Sequence, residues 1–266
     1  LAHADAVILD LRDNIGGSPE LVEFLLGYFL GPDSVLIHRA RNRAQGLVQV
    51  RYTRADVPGR RMLSTDLYVL TSLRTGSAAE SFAATVRRLE RGTLIGSRTA
   101  GAGHGGSRLS LGHGLALFVP EWLPDPGFGW EGDGVAPHVD VDPEEAVARG
   151  YELALERLEA RAPDDRTRRE RAWALELARA QGGTVQAGSL EPYVGNWGGR
   201  RIAAEQGQLV MRTATGVRST LLPAGEDVFR AGEGTRLRFE RDATGQPVAL
   251  TLETLDGQPL RLTRAP

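Results

Sequence analysis

Cysteine and lysine are both missing from the 266 residues, so all 32 basic residues are arginine. Without cysteine there are no disulfides, thiolate metal sites or thiol nucleophiles, while an exported compartment is left open because exported proteins need not carry disulfides. Without lysine, Schiff-base chemistry, Walker-type phosphate binding and any serine–lysine mechanism are excluded. An excess of one charge is lacking too. The 34 acidic residues leave a formal net charge of −2, too balanced for a protein that grips nucleic acid. Long apolar runs are absent: the stretches around Ala6–Leu9 and Leu67–Leu70 are of strand length, against the roughly 20 residues that span a bilayer.

A composition of 41% hydrophobic and 25% charged residues suits a folded chain, and 266 residues exceed the usual single domain of roughly 100–200, so two cores are expected. The chain opens on Leu1-Ala2-His3-Ala4-Asp5, with no initiator methionine or basic leader, and reads as starting inside a longer protein. Ala6–Leu11 is a continuous apolar run of the kind buried on both faces of a parallel sheet. It leads into Asp13-Asn14-Ile15-Gly16-Gly17. Ser18-Pro19-Glu20 then supplies an N-cap, a first-turn proline and an early acid for a helix to about Leu30. The logic repeats with a strand at Leu67–Leu70, a loop at Thr71–Gly76, a helix from about Ala78 to Glu90 and a strand at Gly92–Gly96.

This alternation predicts an α/β domain over residues 1–145 whose sheet is partly parallel with flanking helices; ligands in such sheets sit beyond the carboxyl ends of the strands, where both glycine loops lie. Residues His38–Tyr52 read as an arginine-rich hairpin, Leu109–Val119 as a hairpin turning at Gly112-His113-Gly114, and Trp122–Trp130 as a loop. Residues 146–184 read as a helical connector, one helix running to about Arg161 and another from Asp164-Asp165 to Gly182-Gly183. Residues 185–266 read as a small all-β domain, with strands at 202–204, 209–212, 219–223, 236–241, 248–253 and 260–263. Its Tyr193, Trp197, Phe229 and Phe239 are expected to pack inward.

Thr75-Gly76-Ser77-Ala78-Ala79-Glu80 stands at a strand-to-helix junction. Ser77 with Glu80 three residues on is a capping box by pattern. The same position puts a serine oxygen at the positive end of a helix beside unpaired N–H groups, which suits a nucleophile and a developing oxyanion. In Asp10-Leu11-Arg12-Asp13-Asn14-Ile15-Gly16-Gly17 the paired glycines permit positive φ and expose N–H donors, one of which would complete an oxyanion hole with Ala78. No His-x-x-x-His pair occurs, and Asp140, Asp142, Glu144 and Glu145 read as acids ahead of a helix, so neither a metal nor a cofactor is expected.

Taken in order, Asp-Leu-Arg-x-Asn-x-Gly-Gly, Thr-x-Ser-Ala-x-Glu, Gly96-Ser97-Arg98-Thr99-Ala100-Gly101 and Gly134-Val135-Ala136-Pro137 resemble the C-terminal processing (tail-specific) serine peptidases and their tricorn-like and retinoid-binding-protein-like relatives, over residues 5–145. The resemblance implies a ClpP/crotonase-like core, Ser77 as nucleophile, the Ala78 N–H as one oxyanion donor and Gly16 or Gly17 as the other. Tail-specific peptidases carry lysine in a Thr-x-Gly-Lys context, but Thr99-Ala100-Gly101 is followed here by Ala102. The tricorn-like branch instead uses a histidine base held by a second serine and a glutamate. That glutamate precedes a Gly-Val-x-Pro segment, as Glu131 does, and the alternative for Glu131 is a solvated loop carboxylate.

The branch histidine lies N-terminal of the Asp-Leu-Arg motif, in a segment this chain does not contain, with His3 at the edge. Near the former lysine position stands His104, in the glycine loop 101–106, as a substitute base or substrate-binding group; a merely mobile loop is the alternative. His113 and His138 read as surface turn residues and His38 as structural. What the resemblance implies is a serine-type endopeptidase acting on unstructured tails or peptides, periplasmic or otherwise exported, with no nucleic-acid partner; the oligomeric state is not readable. Two other readings stand beside it: a non-catalytic binder of apolar ligands, as in the vertebrate retinoid-binding relatives, and a pseudoenzyme. The β domain resembles barrel-like appendages of bacterial hydrolases.

Overall fold

Strand β1 (Ala6–Asp10) feeds the first glycine loop and helix α1 (Pro19–Leu30), where Ser18 caps the helix by accepting from the Leu21 N–H at 3.3 Å and Pro19 occupies the first turn. After an antiparallel hairpin of β2 (Leu36–Asn42) and β3 (Leu47–Tyr52), the chain enters β4 (Asp66–Thr71), α2 (Ala78–Arg88) and β5 (Thr93–Gly96). Strands β1, β4 and β5 pair in parallel, and β8 (Val139–Asp140) joins β5, giving the order β1-β4-β5-β8. Every residue of β4 is buried, as a central strand of a covered parallel sheet requires. The β1 run, in contrast, is only half-buried, because among the described residues it takes the edge of this sheet and has a strand neighbour on one side only. That corrects its reading as a strand covered on both faces.

Leu67 and Val69 of β4 share one core with Val22, Leu26 and Phe29 of α1 and with Phe82, Ala83 and Val86 of α2. At roughly 1.5–3 kcal/mol for each large apolar side chain buried, this cluster fixes both helices and therefore both glycine loops. Strands β6 (Gly105–Gly112) and β7 (Leu115–Pro124) form a second hairpin, and β7 also pairs with β2, so the two hairpins merge into one sheet ordered β3-β2-β7-β6. The sequence pattern did not join them. Nor did it carry Trp122-Leu123-Pro124 into β7; those residues are strand rather than loop because Asn42, Arg41 and Ala40 of β2 face them in register.

The structure, a computed structural model, describes residues 3–182, 189–232 and 234–265, and divides into a unit Leu1–Gly150 and a unit Tyr151–Pro266. Leu1, Ala2, Gly183 and the expected boundary at 184/185 lie outside the described residues. Helices α3 (Ala146–Ala160) and α4 (Asp165–Gly182) precede a 3-10 turn at Glu191–Tyr193. Then follow β9 (Gly195–Trp197), β10 (Arg200–Glu205), β11 (Gln208–Arg212), β12 (Arg218–Gly225), β13 (Val228–Arg230), β14 (Thr235–Arg241), β15 (Pro247–Thr254) and β16 (Leu260–Thr263).

Each of these eight strands pairs antiparallel with the next, an up-and-down meander. A bridge from Trp197 to Arg264 and a bond from the Ala265 N–H to the Asn196 carbonyl at 2.8 Å bring the two ends together, so the sheet nearly closes into a barrel. The short β9 and β13 escaped the sequence pattern. Tyr193, Trp197, Phe229 and Phe239 pack inward together, as expected of them. Arg236 ties α4 to the barrel through Glu176, with Glu253 of β15 on its other side at 2.7 Å.

Candidate active site

Ser77 is exposed while Gly76, Ala78 and Glu80 around it are buried. Its backbone stands at φ +50, ψ −118, outside the extended region an ordinary N-cap adopts. A positive-φ serine at a strand-to-helix turn holds strain of order 1–3 kcal/mol, which persists only where the surroundings enforce it. Three bonds enforce it from the first glycine loop. The Gly76 N–H donates to the Asn14 carbonyl at 3.0 Å, the Thr75 hydroxyl to the Leu11 carbonyl at 2.7 Å, and the Ser72 hydroxyl to the Arg12 carbonyl. Arg12 in turn is bidentate on Asp10 at 2.7 and 2.9 Å, and this hydrogen-bonded pairing holds the Asp10 carboxyl below its ordinary range.

Gly16 lies directly against the serine. A Cβ on it would come within 2.7 Å of Ser77 Cβ, and its φ of +120 already requires glycine. Its N–H is taken by Asn14 Oδ1 at 2.9 Å. Among the described residues the N–H groups of Gly17 and Ala78 have no such partner, so of the two glycines it is Gly17 that offers a free donor. Ala78 offers the other, at the start of α2.

Glu80, read from the sequence as a cap, does more. It is fully buried, and its four acceptor positions are all used. Oε2 accepts from the N–H groups of Ser77 at 2.8 Å and Ala102 at 2.9 Å; Oε1 accepts from the Thr99 hydroxyl at 2.6 Å and the Gly101 N–H at 2.7 Å. Glu131 continues the pattern from the other side, Oε2 accepting from the N–H groups of Gly103 at 2.6 Å and His104 at 2.8 Å. Four successive N–H groups, Gly101 to His104, therefore end on two carboxylates. Gly103 lets the loop lie this close, since a Cβ there would stand 2.9 Å from the Glu131 nitrogen. The remaining oxygen of Glu131 is 3.8 Å from His104 Nδ1.

Ser77 and, from the first turn of α2, Ala78 and Ser81 share a cavity of about 250 Å³ with Ala102, Gly103 and His104 of this loop and Gly105 at the start of β6. Pro19, His38, Gln49, Arg51, Trp122 and Trp130 complete its walls. The volume is below the roughly 300–1,000 Å³ of drug-sized ligand pockets and suits one or two side chains of a longer ligand. Arg51 is bridged to Glu20 at 3.1 Å and Glu23 at 2.7 Å, and Glu20 is lowered to about 2, first by the Ser18 hydroxyl that donates to it. Burial, then the nearby Arg51 cation, hold the His38 imidazole below its ordinary value. His38 Nδ1 and Trp130 Nε1 are buried without a hydrogen-bond partner among the described residues.

The sequence therefore named residues that the fold does bring together: Ser77, Ala78 and His104 line one cavity, Gly16 abuts the serine turn with Gly17 next to it in the chain, and Glu131 holds the His104 segment. It missed the four-donor role of Glu80 and the cavity wall made by β2 and β3, including His38, which was read as structural. His113 sits at φ +51 in the β6–β7 turn, and the exposed His138 accepts from the Leu94 N–H at 2.9 Å. Among the described residues no group of three or more histidines and carboxylates is placed to hold a metal ion.

The sequence profile of peptidase family S41 matches residues 1–141. Among solved structures, the chain is similar to the photosystem II D1 C-terminal processing protease, at 26% identity and TM-score 0.42 over 55% of this chain and 38% of that one. It is similar to the tricorn protease at 26% identity and TM-score 0.37, over 55% of this chain and 14% of that one. A lipoprotein from Streptococcus agalactiae matches at 18% identity and TM-score 0.45, over 57% of this chain and 55% of that one. The chain thus spans little more than half, and in places far less, of the length of the structures it matches.

Proposed function

The chain belongs to peptidase family S41, and from that premise we propose that it is the Ser77-bearing part of a serine-type peptidase that cleaves extended or unfolded polypeptide. The observation that carries the reading is the exposed Ser77 on a strained turn, packed against Gly16, next in the chain to the Ala78 N–H and sharing a cavity with His104; Gly17 beside Gly16 supplies a second N–H without a partner among the described residues. Ser77 Oγ attacks the substrate carbonyl. The two N–H groups meet the oxyanion as it forms, where a fixed donor is worth about 10²–10³ in rate. His104 takes the serine proton and returns it to the leaving amine, and Glu131, through its free Oε1, steadies the charged imidazole. Water then resolves the acyl-enzyme by the same steps in reverse roles.

Glu131 has two tasks in this scheme. One oxygen fixes the backbone of the histidine segment and the other faces the ring, so its removal disturbs both. Among the described residues no helix is long and apolar enough to cross a membrane. An exported location belongs to the same proposal, and cell fractionation tests it.

The test of the chemistry is labelling with a fluorophosphonate probe. The chain is expected to label and Ser77→Ala to lose labelling. His104→Ala is expected to slow it by about 10²–10⁴-fold, the usual contribution of a general base. A chain in which Ser77 does not label under any condition sinks the peptidase reading; undiminished labelling of His104→Ala sinks the role given to that histidine alone.

A further inference from the structure

We infer that the free edge of β6 is the docking rail for the substrate chain: an extended peptide adds to it as a fifth, antiparallel strand, with an apolar residue beside Leu109 and an acidic one beside Arg108. The inference rests on the peptidase reading and names the substrate class for that site. Four observations carry it.

Among the described residues strand β6 pairs on one side only, with β7, so its other row of backbone N–H and C=O groups faces outward. All eight of its residues are exposed. Natural sheets blunt such edges with proline, charge or short length, since an open edge templates pairing with another chain. The stretch Gly105–Gly112 contains no proline and no acid, and Arg108 is its single charge. Register shifts confine irregularity to its two ends, leaving the ladder regular over Gly106–Ser110, about 17 Å of strand.

The edge is continuous with the site. Gly105, the first residue of β6, lines the same cavity as Ser77 and follows His104 directly, so a chain paired along β6 leads into that cavity. Strand addition is a common way to bind peptides because backbone bonds give affinity while alternate side chains give selection.

The side chains along the edge are not neutral in what they select. Leu109 and Leu117 face each other across the hairpin, each 51% exposed, and Leu111 and Leu115 near the turn are more exposed still. An added residue on that face covers leucine. One residue along, on the opposite face, Arg108 pairs with the exposed Phe118, where a carboxylate on the added strand meets a cation directly across. The selected segment is thus extended, with apolar and acidic residues alternating.

The experiment uses the Ser77→Ala chain and a fluorescein-labelled decapeptide of alternating leucine and glutamate, whose two faces fix which residues point to the edge. Two further peptides carry N-methyl groups on all leucines or on all glutamates, removing backbone donors from one side of the strand at a time. One N-methylated peptide is expected to lose affinity about tenfold or more while the other binds like the parent, and the outward-facing β6 amides, those not bonded to β7, are expected to gain exchange protection with the parent. Arg108→Glu is expected to reverse the preference between glutamate and arginine at the neighbouring positions. Equal behaviour of the two N-methylated peptides overturns the inference. So do outward-facing β6 amides, those not bonded to β7, already protected without peptide, as pairing with a second copy or another stretch of chain would give. Because binding is read without Ser77, a chain that labels but shows no such asymmetry defeats only the docking rail, and a chain that binds but never labels defeats only the peptidase reading.

Discussion

Two buried tryptophans show how differently the aromatic cluster of the barrel and the cavity beside Ser77 treat an indole N–H. In the barrel, Trp197 is fully buried among Tyr193, Phe229 and Phe239, and its indole N–H donates to the Tyr193 carbonyl at 3.0 Å. The Tyr193 hydroxyl donates to Asp227 at 2.7 Å and accepts from Arg241 at 2.9 Å, closing a satisfied network at the same cluster. In the first unit, Trp130 is nearly as buried, yet its N–H has no partner among the described residues, and neither has Nδ1 of His38, whose ring stands 6.1 Å away. The barrel core is built to be stable. The cavity beside Ser77 keeps unpartnered ring nitrogens and a strained serine, each costing of order 1–3 kcal/mol, which the dense bonding of Glu80 and the α1–α2 core must offset.

The comparison can be broken most sharply at Trp197. Trp197→Ala removes the centre of the barrel's aromatic cluster and is expected to destabilise that unit by about 3–5 kcal/mol, read as lost exchange protection across β9–β16 and a lower urea midpoint. Next comes Gly16→Ala, whose Cβ presses on Ser77: serine labelling is expected to fall about 100-fold while circular dichroism stays native, since a displacement of the order of 1 Å is enough. Labelling at the parent rate would show that the serine turn is not held by that contact. A step smaller is Glu80→Gln, which turns one of the two oxygens into a donor facing N–H groups. It should cost about 1–3 kcal/mol by thermal unfolding and loosen the amides of Gly101 and Ala102 in exchange.

The smallest effect sharpens the contrast through pH. Because the folded unit depresses the His38 value, the unfolded chain binds the proton more readily, so the His38 contribution is complete above roughly pH 6.5 and declines as pH falls below it. His38→Gln should therefore lose less stability between pH 7 and pH 5 than the parent, with His138, also lowered mainly by burial, present in both. Equal slopes would show that His38 titrates in the folded chain as it does in the unfolded one.

Much of the region around Ser77 was legible because its signals are local. Ser18-Pro19-Glu20 carries its own helix start, Thr75–Glu80 its own strand-to-helix turn, and paired glycines their own backbone freedom; none of these depends on a distant residue. Glu80 was legible only in part. Its bond to the Ser77 N–H lies within one turn, whereas its bonds to Thr99, Gly101 and Ala102 cross about twenty residues and exist only because β4, α2 and β5 pack as they do. His38 and Trp130 were illegible for the same reason: which face a β2 residue presents follows from pairing with β7, eighty residues away.

By itself, then, the sequence determined the chemistry on offer: no thiol, no lysine, a serine at a helix start, glycine loops able to expose N–H groups, and an alternation of elements that demands a parallel sheet. Tertiary structure decided which of those groups are free. It spent the Gly16 N–H on Asn14 and left that of Gly17 open, used up Glu80 within the core, kept one oxygen of Glu131 beside His104, and placed β6 at an unpaired edge. The physical reason is that a hydrogen-bonding group's availability depends on what long-range packing brings within about 3 Å of it, and periodicity along the chain carries no record of that distance.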